Sequence, residues 1–269
     1  MTNWWRPAGA RPIGYDWDMP VRIATWNIRS GWSVDWRSLW WRRRARVGAA
    51  LTALDADVVA LQEVFAFQRR WLVRHAHPAG RWAGTGDGRG SAGRGEAVPV
   101  AWRRDRLTMV RHTTRWFGDE PERSGSRAHA TGAPRIATWV ELDDTDGHRF
   151  RVVNTHFDSR SADARLGAAE QLAHELATAE DLPTVMIGDF NATLDDPELA
   201  PLLGRGLRSV LPAGAGPTAT SFEREEGRRI DHVLISHHWA VTSAEVVTAA
   251  GTASDHYPVV AELELRSRG

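Results

Sequence analysis

The sequence predicts a mixed α/β sandwich in one domain. Three observations carry this. The chain's 269 residues are long for one domain and short for two. Short apolar runs of strand length are interspersed with a few segments of helical period. No repeat or clear linker divides it, so residues 21–269 read as one domain behind an N-terminal extension at 1–20.

Residues 21–28 alternate and carry Trp26-Asn27, a strand signal. Asp35 is placed to cap a helix running to about Leu54, with Leu39, Ala45, Val47, Ala50, Leu51 and Leu54 on recurring turns. Residues 57–64 are a short apolar run, read as a buried strand, and 65–75 read as helix. Six glycines in 84–95 mark a mobile loop. Strands follow at 97–102 and 107–117, then a polar loop at 118–134. Two more strands, 135–142 and 149–155, flank an Asp-Gly turn. Ser161 caps a helix over 161–179, whose stripe is Leu166, Ala169, Leu172, Ala173 and Leu176. A short strand at 184–187, a short helix at 196–203 and strands at 230–235, 240–247 and 257–265 complete the chain.

Composition excludes several classes. At 42% hydrophobic and zero net charge the chain is not a disordered one. No apolar run approaches the ~18 residues of a spanning helix, and the N-terminus lacks an apolar signal core. The expectation is a cytoplasmic protein with no membrane span. Without cysteine there are no disulfides, thiolate metal sites or Cys nucleophiles. Without lysine there is no P-loop or Schiff-base chemistry. The zero net charge speaks against bulk electrostatic binding of nucleic acid and tilts the expectation toward a small substrate. It nevertheless hides an asymmetry. Residues 1–116 hold 20 arginines against 9 acids, and 117–269 hold 14 against 25. Either the halves neutralise each other, or a basic wall faces an acidic, metal-holding one.

Several apolar runs end in polar residues: Asn27, Glu63, His156 with Asp158, and Asp189 with Asn191. Asp231 opens another strand, and Asp255-His256 precedes the last. Strand ends that register together bring such groups to one edge. Carboxylate and amide oxygens are hard ligands, suited to Mg²⁺ or Mn²⁺ rather than zinc. Together they suit phosphoester hydrolysis: a metal to screen phosphate charge, a carboxylate or His to activate water, and donors for the developing charge.

The same residues, in order, resemble the endonuclease/exonuclease/phosphatase superfamily, the deoxyribonuclease-I-like hydrolases. The resemblance runs from about Val21 to Leu265. It rests on Trp26-Asn27, Leu61-Gln62-Glu63, Asn154-Thr155-His156-Phe157-Asp158, Gly188-Asp189-Phe190-Asn191, Arg229-Ile230-Asp231-His232 and Ser254-Asp255-His256-Tyr257-Pro258. Arg135-Ile136-Ala137-Thr138-Trp139, Asp158 and Ala164-Arg165 look like a compact bacterial branch. The resemblance implies a four-layer α/β/β/α sandwich of two mixed β-sheets flanked by helices, with the site at one end. It implies that Glu63 binds Mg²⁺ (or Mn²⁺), with Asn27 and Asp255 contributing directly or through water. Asp189 orients or deprotonates the attacking water, Asn191 helps hold the phosphate, and His256 paired with Asp231 is base or phosphate donor. The base is thus Asp189 or the Asp231–His256 pair. His156 and Arg135 contact phosphate oxygens, and Asn27, Asp158 and Arg165 belong to the same phosphate-binding set.

The expected substrate is a phosphoester, either a small molecule or a nucleic acid. The alternatives are a nuclease or phosphodiesterase acting on DNA or RNA, and a non-catalytic binding module on the same fold. A serine hydrolase is disfavoured because no Gly-x-Ser-x-Gly is present. Ser159 stands where the branch often has His, and Thr220-Ser221-Phe222 matches only part of a Thr-Phe-His pattern. Glu96 follows Gly95 as in a recurrent Gly-Glu near the cleft and is equally well a strand-entry carboxylate. Residues 88–93 satisfy Gly-x-Gly-x-x-Gly without the flanking strand and helix a dinucleotide site needs. Arg42, Arg43, Arg44 and Arg46 read as a solvated basic helix face or as contacts to a phosphate polymer. Trp32, Trp36, Trp40 and Trp41 read as packing residues or as a wall that stacks on a base.

Overall fold

The structure, a computed structural model, describes residues 20–33, 36, 38–76, 81–128, 132–220, 222 and 227–266. The elements run β1 (Val21–Asn27), α1 (Trp40–Ala53), β2 (Val58–Gln62), α2 (Ala66–His75), β3 (Trp82–Thr85), β4 (Val100–Arg103) and β5 (Leu107–Trp116). They continue with β6 (Ile136–Asp144), β7 (Arg149–His156), α3 (Ala162–Thr178), β8 (Thr184–Asp189), α4 (Ala200–Gly204), β9 (Arg208–Ser209), β10 (Asp231–Ile235), β11 (Trp239–Val246) and β12 (Val259–Leu265). One sheet has the order β11-β12-β1-β2-β4-β3 and the other β5-β6-β7-β8-β10-β9. Both are mixed: β1 pairs β2 in parallel and β7 pairs β8 in parallel, while the other pairings are antiparallel.

Strand alternation makes the layers. Ile23, Val58, Val140, Val152, Val185, Ile187 and Val259 fill the space between the sheets. The opposite face of the first sheet, with Ala24, Trp26, Val59 and Leu61, packs on Val47 and Leu51 of α1 and Leu72 of α2. The opposite face of the second, with Val153 and Met186, packs on Ala168, Ala169 and Leu172 of α3 and Leu202 of α4. The four-layer sandwich follows. Strands β2 and β8 are buried on both faces, which is why they read as unbroken apolar runs rather than alternating ones.

Some boundaries move. Helix α1 starts at Trp40, with Leu39 at its cap position, and Asp35 lies outside the described residues. Its buried stripe is Trp40, Arg43, Val47, Gly48 and Leu51, while Ala45 faces solvent. Ser161 does cap α3, its hydroxyl accepting from the Ala164 N–H at 3.1 Å, but Leu166 is exposed and Ala164 and Ala168 are buried instead. Part of the glycine-rich segment is strand β3. The rest is closed on itself, with Gly88 N–H donating to Gly93 O, Arg89 N–H to Glu96 O and Gly90 N–H to Arg94 O. The Trp116 indole donates to Arg89 O at 2.7 Å and fastens this loop to β5.

A polar clamp crosses the otherwise apolar space between the sheets. Asn154 of β7 donates to Leu61 O (2.9 Å) and Pro99 O (2.8 Å) and accepts from Gln62 Nε2 at 2.7 Å. Gln62 also donates to Thr25 Oγ1. All of these side chains are buried. Replacing Asn154 by Ala removes three buried hydrogen bonds at once, although Pro99 O keeps the Leu61 N–H and Gln62 keeps Thr25, so Asn154→Ala should cost roughly 2–4 kcal/mol in a denaturant titration. A cost within about 0.5 kcal/mol, typical of surface positions, would show that the clamp contributes nothing.

Candidate active site

Register brings the polar strand ends to one edge. His156 pairs with Asp189 across β7 and β8, and Asp231 pairs with Asp189 across β10 and β8. On the other sheet Asn27 pairs with Gln62, next to Glu63. Gly188 makes the close approach possible. A Cβ there would lie 2.0 Å from Thr155 O, and its φ is +149°.

Asp189 Oδ2 is the hub. It accepts from Asn27 Nδ2 at 2.9 Å and lies 3.5 Å from His156 Nε2 and 3.9 Å from His256 Nε2. Asp189 Oδ1 accepts from the Asn191 N–H at 3.0 Å. The Asn27 amide also donates to Glu63 Oε1 at 3.0 Å, so that with its bond to Asp189 it links the edges of the two sheets. Its own oxygen accepts from the Arg29 N–H, so the side chain stands as a donor between two carboxylates. Glu63 Oε2 accepts from the Ser30 N–H at 2.6 Å. His256 Nδ1 donates to Asp231 Oδ2 at 2.8 Å.

The loops behind these groups are tied down. The Trp26 indole donates to His256 O, Ser254 Oγ to Asn27 O, and the Thr220 N–H to Asp255 O. Thr218 Oγ1 accepts from the Asp231 N–H at 3.0 Å. Ser221 lies outside the described residues. Three non-glycine residues here hold left-handed backbone: Arg29 (φ 59°), Glu63 (φ 60°) and Asn191 (φ 50°). Such conformations cost energy and persist only where neighbours enforce them, as at functional sites.

Beside the hub, Glu63, Arg89, Glu96, Arg135 and His156 line a small recess. Arg89 pairs with Glu96 at 2.7 Å. Arg135 Nε is 3.5 Å from Asp158 Oδ2, while Asp158 Oδ1 accepts from the Arg160 and Ser161 N–H groups. Arg165 is not brought to the recess. Its guanidinium donates to Glu198 Oε1 and to Asp158 O, so it braces the Asp158 turn. Two groups escaped the sequence reading. Arg89 comes from the glycine-rich loop. Arg29, two residues after Asn27, contacts Asp255 Oδ2 at 2.5 Å.

Burial sets the proton positions. Burial, reinforced by the charge of Asp231, pushes Asp189 up to about 7. Burial alone would lower His256, but the charge and hydrogen bond of Asp231, with Asp189 and Asp255, carry it up to about 10. His156 is driven well below its ordinary value by burial and by Arg135, so it is neutral. Burial raises Glu96, opposed by Arg89, and lowers Arg135. Burial works to raise Asp158, but the Arg160 and Ser161 N–H groups and Arg135 outweigh it and hold it low.

The donor set fits a hard divalent cation. Glu63, Asp189, Asp231 and Asp255 are oxygen donors gathered at one edge, and Asp231 Oδ1 is buried with no hydrogen-bond partner among the described residues. Asp189, Asp231 and His256 also lie close enough to share an ion. Among the described residues no helix is long and apolar enough to cross a membrane.

The model of the Endonuclease/Exonuclease/phosphatase family matches residues 24–256. No curated protein matches significantly. The fold is similar to that of an endonuclease/exonuclease/phosphatase from Bacteroides vulgatus, at 29% identity and TM-score 0.84, covering 93% of this chain and 100% of that one. It is also similar to a mannosyl-6-phosphatase of Bacteroides thetaiotaomicron (24%, TM-score 0.80, 90% and 99% covered). D. rerio TDP2, complexed with a single-strand DNA product, shares the fold at 17% identity and TM-score 0.73, with 92% and 100% covered. With the family model spanning most of the chain and every quoted strand end meeting at one edge, the chain belongs to the endonuclease/exonuclease/phosphatase family.

Proposed function

We propose that the protein is a divalent-metal-dependent phosphoester hydrolase. The observation that supports this best is the convergence of Asn27, His156 and His256 on Asp189 Oδ2 beside Glu63. Asp189, held near neutrality, takes a proton from water as the water oxygen bonds to phosphorus and the bond to the leaving oxygen breaks. His256, kept cationic by Asp231, donates to a phosphate oxygen. This reading assigns the base to Asp189 rather than to the Asp231–His256 pair. His156 and Arg135 hold further phosphate oxygens, Asn191 orients both Asp189 and the phosphate, and Asp158 steers Arg135. Glu63 and Asp255, with Asn27 directly or through water, would hold Mg²⁺ or Mn²⁺. Such an ion neutralises phosphate charge when bound.

The test is metal dependence over a panel of phosphate mono- and diesters. Chelator-treated protein should be inactive, Mg²⁺ or Mn²⁺ should restore turnover, and Glu63→Ala should raise the metal concentration needed for half activity at least tenfold. Metal binding without hydrolysis of any ester would mark a binding module and overturn the enzyme reading.

A further inference from the structure

The charge asymmetry has a structural address. Helices α1 and α2 form the outer layer on the first sheet and hold seven arginines and no acid. Arg43 is buried, while the other six reach solvent. The same surface carries the most exposed tryptophans among the described residues, Trp32 (67%), Trp36 (65%) and Trp41 (65%). The rings alternate with guanidinium groups. Arg42 lies 3.3 Å above the centre of Trp36, and Arg44 5.0 Å from that of Trp41.

This surface is continuous with the site. Trp32 stands edge-on to Phe65 and Phe67, at 84° and 80°, and Phe67 stacks on Trp41 at 26°. Phe65 is two residues beyond Glu63. Trp32 is two residues beyond Ser30, whose N–H holds the Glu63 carboxylate. Two residues reach about 7 Å at most. The loop is fixed: the Gly31 N–H donates to Gln68 Oε1, and Gln68 Nε2 donates to Arg29 O. A Cβ on Gly31 would lie 2.4 Å from the Phe67 ring, so only glycine lets the loop lie against it.

An unpaired nucleic-acid strand matches this chemistry. Its bases offer flat π faces to exposed aromatic rings, and its phosphates need cations, which the two helices supply without an acid of their own. A lipid surface calls for aliphatic side chains that insert, and on these two helices only Val73 is a strongly exposed aliphatic residue. We propose that the α1–α2 face, led by Trp32, is a binding track for single-stranded nucleic acid that leads into the Glu63 edge. Delivery of a phosphate to chemistry rests on the hydrolase reading above; binding does not.

The experiment is fluorescence anisotropy of a labelled oligothymidine with the full chain in chelator, alongside turnover of a small phosphoester that lacks an aromatic group. Trp32→Ala and Trp41→Ala should each weaken oligothymidine binding about tenfold. Arg42→Ala and Arg44→Ala should each lower the slope of log affinity against log salt by about 0.7. All four should leave small-ester turnover unchanged. Oligothymidine binding that is absent, or indifferent to these substitutions, overturns the track even if small esters are hydrolysed. So does tryptophan-dependent binding to phosphatidylserine vesicles in place of the oligonucleotide. Conversely, oligonucleotide binding that needs Trp32 with no hydrolysis of any ester supports the track and defeats the hydrolase reading alone.

Discussion

Asp189→Asn and His256→Gln should each lower kcat by on the order of 10²–10⁴-fold, the range for removing a positioned proton donor or acceptor. Asn keeps the hydrogen bond that Asp189 Oδ1 accepts from the Asn191 N–H but takes up no proton near neutrality. Gln keeps one donor for Asp231 but no positive charge. If Asp189 must be deprotonated and His256 protonated, activity is bell-shaped, with limbs set by groups lying near 7 and 10 in the metal-free chain. A bound cation beside Asp189 moves the acid limb lower, because positive charge favours the carboxylate. Stability of the metal-free chain follows by linkage. Both folded values are raised above the ordinary 3.8 and 6.5, so the folded state binds the extra protons. The His256 contribution is complete below 6.5 and is lost as pH rises through about 10. His256→Gln should therefore flatten the fall in unfolding free energy over that interval. An unchanged slope would place the charge elsewhere.

Arg43→Met should cost about 3–5 kcal/mol of stability and also weaken metal binding. Arg43 is fully buried, yet among the described residues its guanidinium forms no ion pair with a carboxylate. It donates to five carbonyls, those of Ile28, Arg29, Ser30, Ser38 and Ala253. Burial lowers it to about 10, against the favourable charges of Asp255 and Glu63. The side chain thus fastens the loop after Asn27, which holds Glu63 through Ser30, to the segment leading into Asp255. Met fills the space but takes the guanidinium donors from the Ile28, Ser38 and Ala253 carbonyls, whereas Arg29 O keeps Gln68 Nε2 and Ser30 O keeps the Ser33 N–H; each such loss costs roughly 1–3 kcal/mol. Chemical denaturation reads the stability. Mn²⁺ titration of the folded variant reads the positioning role, with an expected loss of about tenfold. A variant that is destabilised but binds Mn²⁺ as wild type does would confine Arg43 to folding.

The strand ends were legible because a buried run interrupted by Asn, Asp or His at its last position has few bland explanations in combination. Glu63, His156, Asp189, Asp231 and His256 all fall at one edge for that reason. Arg43 was obscured by its neighbours. Within Arg42-Arg43-Arg44 it looks like one of three solvated cations, yet positions 40, 43, 47 and 51 share one helical face. Trp40, Val47 and Leu51 carry Arg43 inside with them. Arg165 shows the opposite limit. Its motif places it with the phosphate donors, but the fold brings Glu198 to its guanidinium instead. Arg29 and Arg89 reach the site through loop backbone that hydrophobic period does not describe. Strands β3 and β9 are four and two residues long, too short for alternation to stand out. The summed charge misled in a simple way. Its surplus of arginine sits on the α1–α2 layer, where the total for the chain conceals it.

The central claim is that Glu63, Asp189 and His256 form one phosphoester-hydrolysing centre. The most direct test is to assay wild type and the single variants Glu63→Ala, Asp189→Ala and His256→Ala in parallel. The assay uses the best ester of the panel at saturating Mg²⁺ or Mn²⁺, with circular dichroism to verify folding. The account predicts turnover by wild type and its loss by at least about 10²-fold in Asp189→Ala and His256→Ala, with Glu63→Ala impaired even at high metal. Folded variants that all retain wild-type turnover would contradict it.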